Sequence, residues 1–297
     1  PAIKPPATST IHATLDRHGL VKRRKRRRYK AEGTALSNAR VPNALWCADY
    51  KGQFRLGNRR YCYPLTVSDY RSRYLLACEG LESTREAGAF PVFERVFREF
   101  GLPAAIRTDN GVPFASPHAL FGMSRLAVWW LRLGIAIERI KPGHPQQNGR
   151  HERMHLTLKQ ETTRPPAYNF LQQQARFDDF IKGYNQDRPH QALGGKYPGE
   201  VYTPSAREYH HPEVPEYPFH DRTIQVTQCG RICIGRRKIN LCTVFGGQYV
   251  GIREVADQVW LVSFMEYDLG FFDQDENRVE PVGHNPFAPK VLPMSSE

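Results

Sequence analysis

Apolar residues change their spacing several times along this 297-residue chain, and each change marks an element. From Val41 onward, runs rich in Tyr, Val, Leu and Cys at 45–54, 60–68 and 72–80 predict three strands. Turn residues at Gly57-Asn58 and around Asp69–Arg71 join them into an antiparallel meander. Over 84–100 the period becomes helical, through Ala87, Phe90, Phe93, Val96, Phe97 and Phe100, and Gly101 and Pro103 end it. Pro91 either kinks that helix or marks its true start. A strand over 104–108, a helix over 117–133 and a strand over 135–140 follow, then helices near 148–160 and 170–186. Strands first and alternating elements afterwards predict an α/β fold, a mixed sheet covered by helices.

The flanks read differently. Residues 7–18 predict a short capped helix with Ile11, Leu15 and Leu20 as its apolar stripe, stopped by Gly19. Seven consecutive cations follow: Lys22, Arg23, Arg24, Lys25, Arg26, Arg27 and Arg28. Such a block repels itself and stays extended until a polyanion neutralises it, so it is read as a DNA-tracking linker. Pro212, Pro215 and Pro218 mark a second linker. Beyond it, short strands at 222–228, 231–241, 247–254, 258–264 and 268–272 have the rhythm of a small all-β barrel. Arg231, Arg236, Arg237, Lys238 and Arg253 make that barrel basic. The expected domain limits are 1–20, a basic linker at 21–40, a core at 41–205, a proline-rich linker at 206–221, the barrel at 222–282 and a tail at 283–297.

Charge narrows the partner. A net charge of +12 favours a polyanion, nucleic acid before an anionic membrane. No run approaches the ~20 apolar residues that a membrane span needs. The start has no signal-peptide segment and no initiator Met, which points to a fragment of a longer chain. The six cysteines lie in apolar runs, as buried free thiols in a reducing cytoplasm would. Cys229, Cys233 and Cys242 fit none of the usual paired zinc spacings.

Three acids stand in telling contexts. Asp49 lies inside a strand, Asp109 ends a strand at the turn Asp109-Asn-Gly111, and Glu152 opens a helix after Pro145-Gln-Gln-Asn-Gly149. Carboxylates from two strands and a helix start can converge on divalent cations. Packed together without metal they would repel and their pKa values would rise; bound Mg²⁺ reverses that. Two such ions activate an oxygen nucleophile and stabilise the leaving oxygen of a phosphodiester. Taken singly, Asp49 is a solvated strand acid, Asp109 a turn former and Glu152 a first-turn acid favoured by the helix dipole. Asp69 reads as a turn residue. His151 and His155 share a helical face but lack a third ligand at suitable spacing, so they are read as contacts to DNA or water. Trp46, Trp129 and Trp130 are read as core.

Together, Asp49, Asp109-Asn-Gly111 and Pro145-Gln-x-x-Gly149-x-x-Glu152 resemble the DDE motif of the retroviral-integrase superfamily, in its bacterial insertion-sequence transposase branch. Ser68-Asp-Tyr-Arg-Ser-Arg-Tyr-Leu75, Phe100-Gly-Leu-Pro103 and Tyr184-Asn-Gln-Asp-Arg-Pro-His-Gln-Ala-Leu193 are similar to further family segments in the same order. The resemblance covers roughly 41–205. It implies an RNase H-like core, with Asp49, Asp109 and Glu152 holding two Mg²⁺ ions that Mn²⁺ can replace. It also implies cleavage at transposon 3′ ends and transfer of the 3′-OH strand into target DNA. Lys159, two turns after Glu152, inherits a contact to the transposon end. Gln146, Asn148 and Arg150 are read as contacts to phosphate or base edges, with turn and cap roles as the equal alternative. The carboxy-terminal strands would match an SH3-like barrel, and the amino-terminal helix the tail of a truncated helix-turn-helix. Expected partners are double-stranded DNA, further copies of the chain (at least a dimer on DNA) and an ATPase helper. The expected location is the bacterial cytoplasm, on the nucleoid. The stretch between Asp109 and Glu152 is longer than the family commonly has, and the extra length is placed in 115–134. The rival reading is a DNA-binding regulator or assembly factor with a catalytically idle core; a plain nuclease differs by lacking strand joining.

Overall fold

A strand can serve as the hub of a sheet only if both its edges find partners. In the computed structural model, which describes residues 7–18, 20, 32–273 and 277–287, β3 (Tyr61–Asp69) has this role. It pairs antiparallel with β1 (Trp46–Tyr50), β2 (Phe54–Arg55) and β4 (Leu75–Leu81). The expected strand 45–54 is thus interrupted at 51–53, and β2 resumes pairing with β3 beyond the break. On its other edge β1 runs parallel to β5 (Ala105–Thr108), which runs parallel to β6 (Ala136–Arg139). The order β4-β3-β1-β5-β6 is a mixed five-stranded sheet, in keeping with the expected α/β core.

Parallel neighbours need crossovers, and helices supply them. α2 (Glu86–Phe100) links β4 to β5, and α3 (Arg125–Arg132) links β5 to β6. Phe93 and Phe97 of α2 and Trp130 of α3 pack with Trp46, Leu65 and Val67, the Phe93 and Trp130 rings 4.9 Å apart. A second cluster joins Cys62, Leu75 and Cys78 to Met154 and Leu158 of α4 (Gly149–Thr162) and Phe177 and Phe180 of α5 (Phe170–Gln186). α6 (Pro198–Val201) follows. Pro91 lies inside α2, whose start is Glu86. Gly101 ends α2 at φ 74°, where an added Cβ would stand 2.7 Å from the carbonyl oxygens of Ser205 and Arg207. Gly101→Ala is therefore expected to lower stability by about 1–3 kcal/mol, read as a lower urea midpoint at unchanged slope.

The helix expected over 117–133 is shorter than its apolar pattern. Leu120–Gly122 form a 3₁₀ turn, and α3 begins only after Ser124, whose Oγ accepts from the Ala127 N–H at 3.1 Å. This segment buries two faces. Leu126 and Trp130 enter the sheet's core, whereas Ala127, Val128 and Leu131 pack with Val250, Phe245 and Phe264 of the carboxy-terminal unit. The tryptophans are core as expected: Trp46 and Trp130 are fully buried, and Trp129 packs against Phe90 and Phe97.

That carboxy-terminal unit corrects the barrel expectation. β7 (Arg222–Gln225), β10 (Tyr249–Ala256), β11 (Val259–Phe264), β12 (Tyr267–Asp273) and β13 (Glu280–Pro281) form an antiparallel sheet in the order β13-β12-β11-β10-β7. Among the described residues no strand closes it. The expected strand 231–241 is instead a separate hairpin, β8 (Arg231–Ile234) and β9 (Arg237–Asn240), turned at Gly235 with φ 58°. Ile232 and Ile239 seat it on the sheet's core.

At the other end, α1 (Thr8–Arg17) forms as expected, but Ile11, Leu15 and Leu20 are exposed. The cations from Lys22 to Arg28 lie outside the described residues. The second half of the expected basic linker packs on the core. Thr34 exchanges hydrogen bonds with the Arg139 backbone, and Ser37 is held by Arg107 and Glu138, a buried cross-strand pair at 2.8 Å. Among the described residues no helix is long and apolar enough to cross a membrane.

Candidate active site

The parallel pairing of β1 and β5 sets Cys47 beside Arg107, and two residues further along each strand stand Asp49 and Asp109. Asp109 lies just past β5, its Oδ1 accepting the Gly111 N–H at 3.0 Å. A Cβ at Gly111 would meet the Asp109 Oδ2 at 2.9 Å, so the turn keeps that carboxylate open by having no side chain there. Glu152 sits in the first turn of α4, which also carries Met154 and Leu158 into the core. Asp49 reports the convergence. Burial first, then the negative charges of Asp109 and Glu152, push its carboxyl up from 3.8 to about 7, against a hydrogen bond from the backbone of Tyr50. Burial also raises Asp109. Lys51 lies in the same field: burial and Lys159 lower its pKa, while Asp49 and Glu152 oppose that.

Beneath the acids is a layer that the sequence did not disclose. His151 and His155 are 2% and 6% exposed, so the expectation that they meet DNA or water is overturned. Thr66, facing Asp49 across β1 and β3, donates its hydroxyl to the Asp49 carbonyl oxygen at 3.0 Å. Its Oγ1 also lies 2.7 Å from His151 Nε2 and 2.6 Å from His155 Nε2. With the single hydroxyl proton used, both rings must donate through Nε2–H. Ser68 Oγ, 2.8 Å from His151 Nδ1, then donates to that nitrogen. His155 Nδ1 is left with a lone pair 3.7 Å from Asp49 Oδ2. A signal existed: His151 and His155 fall on one helical face with Met154 and Leu158 nearby, and Thr66 and Ser68 alternate on β3.

Burial holds both rings neutral, with His151 pulled down to about 3 and His155 also lowered. The sign follows. A base with a depressed folded pKa contributes stability above its unfolded value of 6.5, and that stability is lost as pH falls below it. Between pH 6.5 and 5.5 each ring is expected to cost about 1 kcal/mol. Urea titrations of wild type and His151→Gln at both pH values check this. The variant should lose less, and because Asp49 titrates in both proteins it cancels in the difference.

The other expected site residues divide. Lys159 is exposed on the face of α4 that carries Glu152. Arg150 is turned to the opposite face, its guanidinium 4.1 Å over the Tyr70 ring and donating to the Tyr70 carbonyl. Asn148 is 6% exposed with a buried, unpartnered Oδ1, while Gln146 is exposed. Arg236 and Lys238 are exposed on the β8–β9 hairpin, and Arg237 donates to the Asp273 carbonyl oxygen. Asp69 is a turn residue, accepting from Asn43 N and from Ser72 N and Oγ at 2.6–2.7 Å. Cys47, Cys62 and Cys78 are buried free thiols as expected, but Cys229 and Cys233 are exposed.

Among the described residues no three His, Cys, Asp or Glu side chains are drawn tightly enough to form a ready metal cage. The chemistry of the donor set nevertheless fits a hard divalent cation. Two raised carboxyls, a third acid close enough to raise Asp49, and a histidine lone pair facing a carboxylate are each relieved by positive charge.

Comparison with known proteins gives a consistent result. Residues 39–145 match an integrase core domain family, and residues 133–198 match a second one described in the same words. The chain is 30% identical over 175 residues to an uncharacterized 39.2 kDa protein of insertion element IS476 from Xanthomonas euvesicatoria, covering 58% of this chain and 48% of that one. It is 27% identical over 182 residues to an uncharacterized 31.7 kDa protein of insertion element IS407 from Burkholderia multivorans, covering 60% and 62%. It thus spans about half to three-fifths of the length of these relatives. Among solved structures, the HTLV-2 integrase catalytic core domain in complex with magnesium, in a trimeric form, aligns with 55% of this chain and 98% of its own. The identity is 16% and the TM-score 0.43.

Proposed function

This chain belongs to the integrase core domain family, distantly homologous to insertion-element proteins and retroviral integrases, and from that premise we propose that it is a DNA transposase. The reaction is cleavage at transposon 3′ ends and transfer of the 3′-OH strand into target DNA. One observation carries the reading: Asp49, Asp109 and Glu152 lie close enough for the last two to raise the first.

Asp49, Asp109 and Glu152 would hold divalent magnesium, or manganese in its place, which supplies Lewis-acid activation and charge neutralisation at a phosphodiester. The chain's own residues do the rest. Thr66, held by His151 and His155, fixes the β1 backbone at Asp49 from below. Lys51 and Lys159 place positive charge beside the acids, where a phosphate backbone would lie. Gln146, the hairpin cations Arg236 and Lys238, and the run from Lys22 to Arg28 would extend the track of DNA contacts. Two ends held together require at least a dimer on DNA, and an ATPase helper belongs to the same proposal.

The test is nicking and strand joining of supercoiled plasmid with Mn²⁺, wild type against Glu152→Gln. Products from wild type alone, reduced at least about 10³-fold in the variant, are expected. Equal products from both would discard the site. Binding without products in either would favour the idle-core regulator, and cutting without joining a nuclease.

A further inference from the structure

We propose that a pocket on the far side of α4 binds the phosphodiester backbone of a second DNA segment, separate from the one that meets the carboxylates. This rests on the reading of the chain as a DNA-processing integrase core. The cavity holds about 380 Å³ and is lined by Arg73, Arg150, Arg153, Arg188, Tyr184 and His190, with no Asp or Glu on its wall. These residues come from three places in the fold: the β3–β4 turn, α4 and the segment that closes α5.

Four guanidiniums around one cavity repel one another. Arg188 has a carboxylate, Glu161 at 2.8 Å, and Arg150 has the Tyr70 ring and carbonyl. Among the described residues Arg73 and Arg153 have no ion pair. Arg73 is half-buried in a left-handed backbone conformation, φ 62°, and both burial and the charge of Arg150 depress its pKa. His190 adds a buried Nε2 with no hydrogen-bond partner, and its ring stands edge-on to Tyr184 at 5.1 Å. Cations without counter-charges describe a site complementary to an anion, and the unpartnered ring nitrogen of His190 leaves a further polar group to be satisfied there. Guanidinium forks match phosphate oxygens in particular. Even with Arg188 paired to Glu161, the three remaining guanidiniums exceed what one phosphate ion neutralises, whereas a nucleic-acid strand brings a phosphate at every step.

The position separates this pocket from the acids. At about 100° per residue, Arg150 and Thr157 lie on the α4 face nearly opposite Glu152 and Lys159, and Arg153 flanks that face about 100° round from Glu152. A helix is about 10–12 Å thick with its side chains, so a phosphate in the pocket is not the one beside Glu152.

The experiment is the salt dependence of duplex binding by fluorescence anisotropy, with wild type, Arg153→Gln and Arg73→Gln/Arg153→Gln. Arg153 is exposed on the helix, so its substitution leaves folding intact, and thermal melts verify both variants. The slope of log K against log salt is expected to shrink by about one in the single variant and about two in the double. Inorganic phosphate, added at fixed ionic strength, is expected not to displace the duplex. Slopes equal to wild type in both variants would overturn the proposal. So would inorganic phosphate that raises the melting temperature of wild type but not of the double variant while the slopes stay equal, since the pocket would then take a small anion. Plasmid nicking on the same wild-type preparation keeps the two readings apart. Cutting with unchanged slopes sinks the pocket alone, and failure to bind duplex sinks the reading on which it rests.

Discussion

Asp49→Asn is expected to stabilise the metal-free protein while abolishing strand cleavage. In the folded chain the Asp49 carboxyl titrates near 7, against an ordinary 3.8, because it is buried beside two other acids. The sign can be followed through. An acid with a raised folded pKa leaves stability intact below 3.8 and removes it as pH rises through about 7. A shift of this size corresponds to an upper limit of about 4 kcal/mol at pH 8. With EDTA present, the variant should therefore melt higher than wild type at pH 8, and the gap should close as pH approaches 4. Saturating Mn²⁺ should narrow the gap at pH 8 by stabilising wild type alone. A variant that melts lower than wild type at pH 8 in EDTA would mean that the three acids do not strain one another. Strand cleavage at wild-type rates would remove Asp49 from the chemistry.

The second large effect concerns the buried pair Arg107–Glu138. Glu138→Gln leaves the Arg107 guanidinium, 2% exposed, without its counter-charge, and weakens the acceptor of the Ser37 N–H. Breaking one side of such a pair costs about 3–5 kcal/mol. Urea unfolding should show that loss, and trypsin should cut at the exposed Arg40 sooner than in wild type, because the segment around Ser37 loses its anchor. Arg107→Met/Glu138→Leu removes both charges and is expected to recover most of the stability. A double variant as unstable as Glu138→Gln would show that the ion pair, rather than the unpaired charge, was the stabilising element.

The two cases show what the sequence could and could not disclose. Period placed α5 over 170–186 because Phe170, Phe177, Phe180 and Tyr184 keep a helical spacing, although the buried Gln173 interrupts that stripe. The three acids stood out as candidates because each has a context of a recognised kind: Asp49 within a strand, Asp109 just past a strand and Glu152 in a helix's first turn. The layer beneath them did not. Thr66, Ser68, His151 and His155 are far apart in the chain, and polar residues on half-apolar elements read as surface until the packing is known. The 117–133 helix failed for a related reason: its apolar residues serve two cores, so its pattern looks longer than the helix. The barrel failed at Gly235, where a turn divides what hydropathy reads as one strand.

The two-sided burial of α3 has a consequence for how this chain can change. The proline-rich passage looks like a seam at which a carboxy-terminal module could be exchanged between relatives. Yet Ala127, Val128 and Leu131 are lodged in that module while Leu126 and Trp130 are lodged in the core of the mixed sheet. A transplanted carboxy-terminal piece must therefore arrive with its own version of 119–131, even though that stretch ends about eighty residues upstream of the seam. Inheritance should move these two distant stretches as a matched set, like a lock kept with its key.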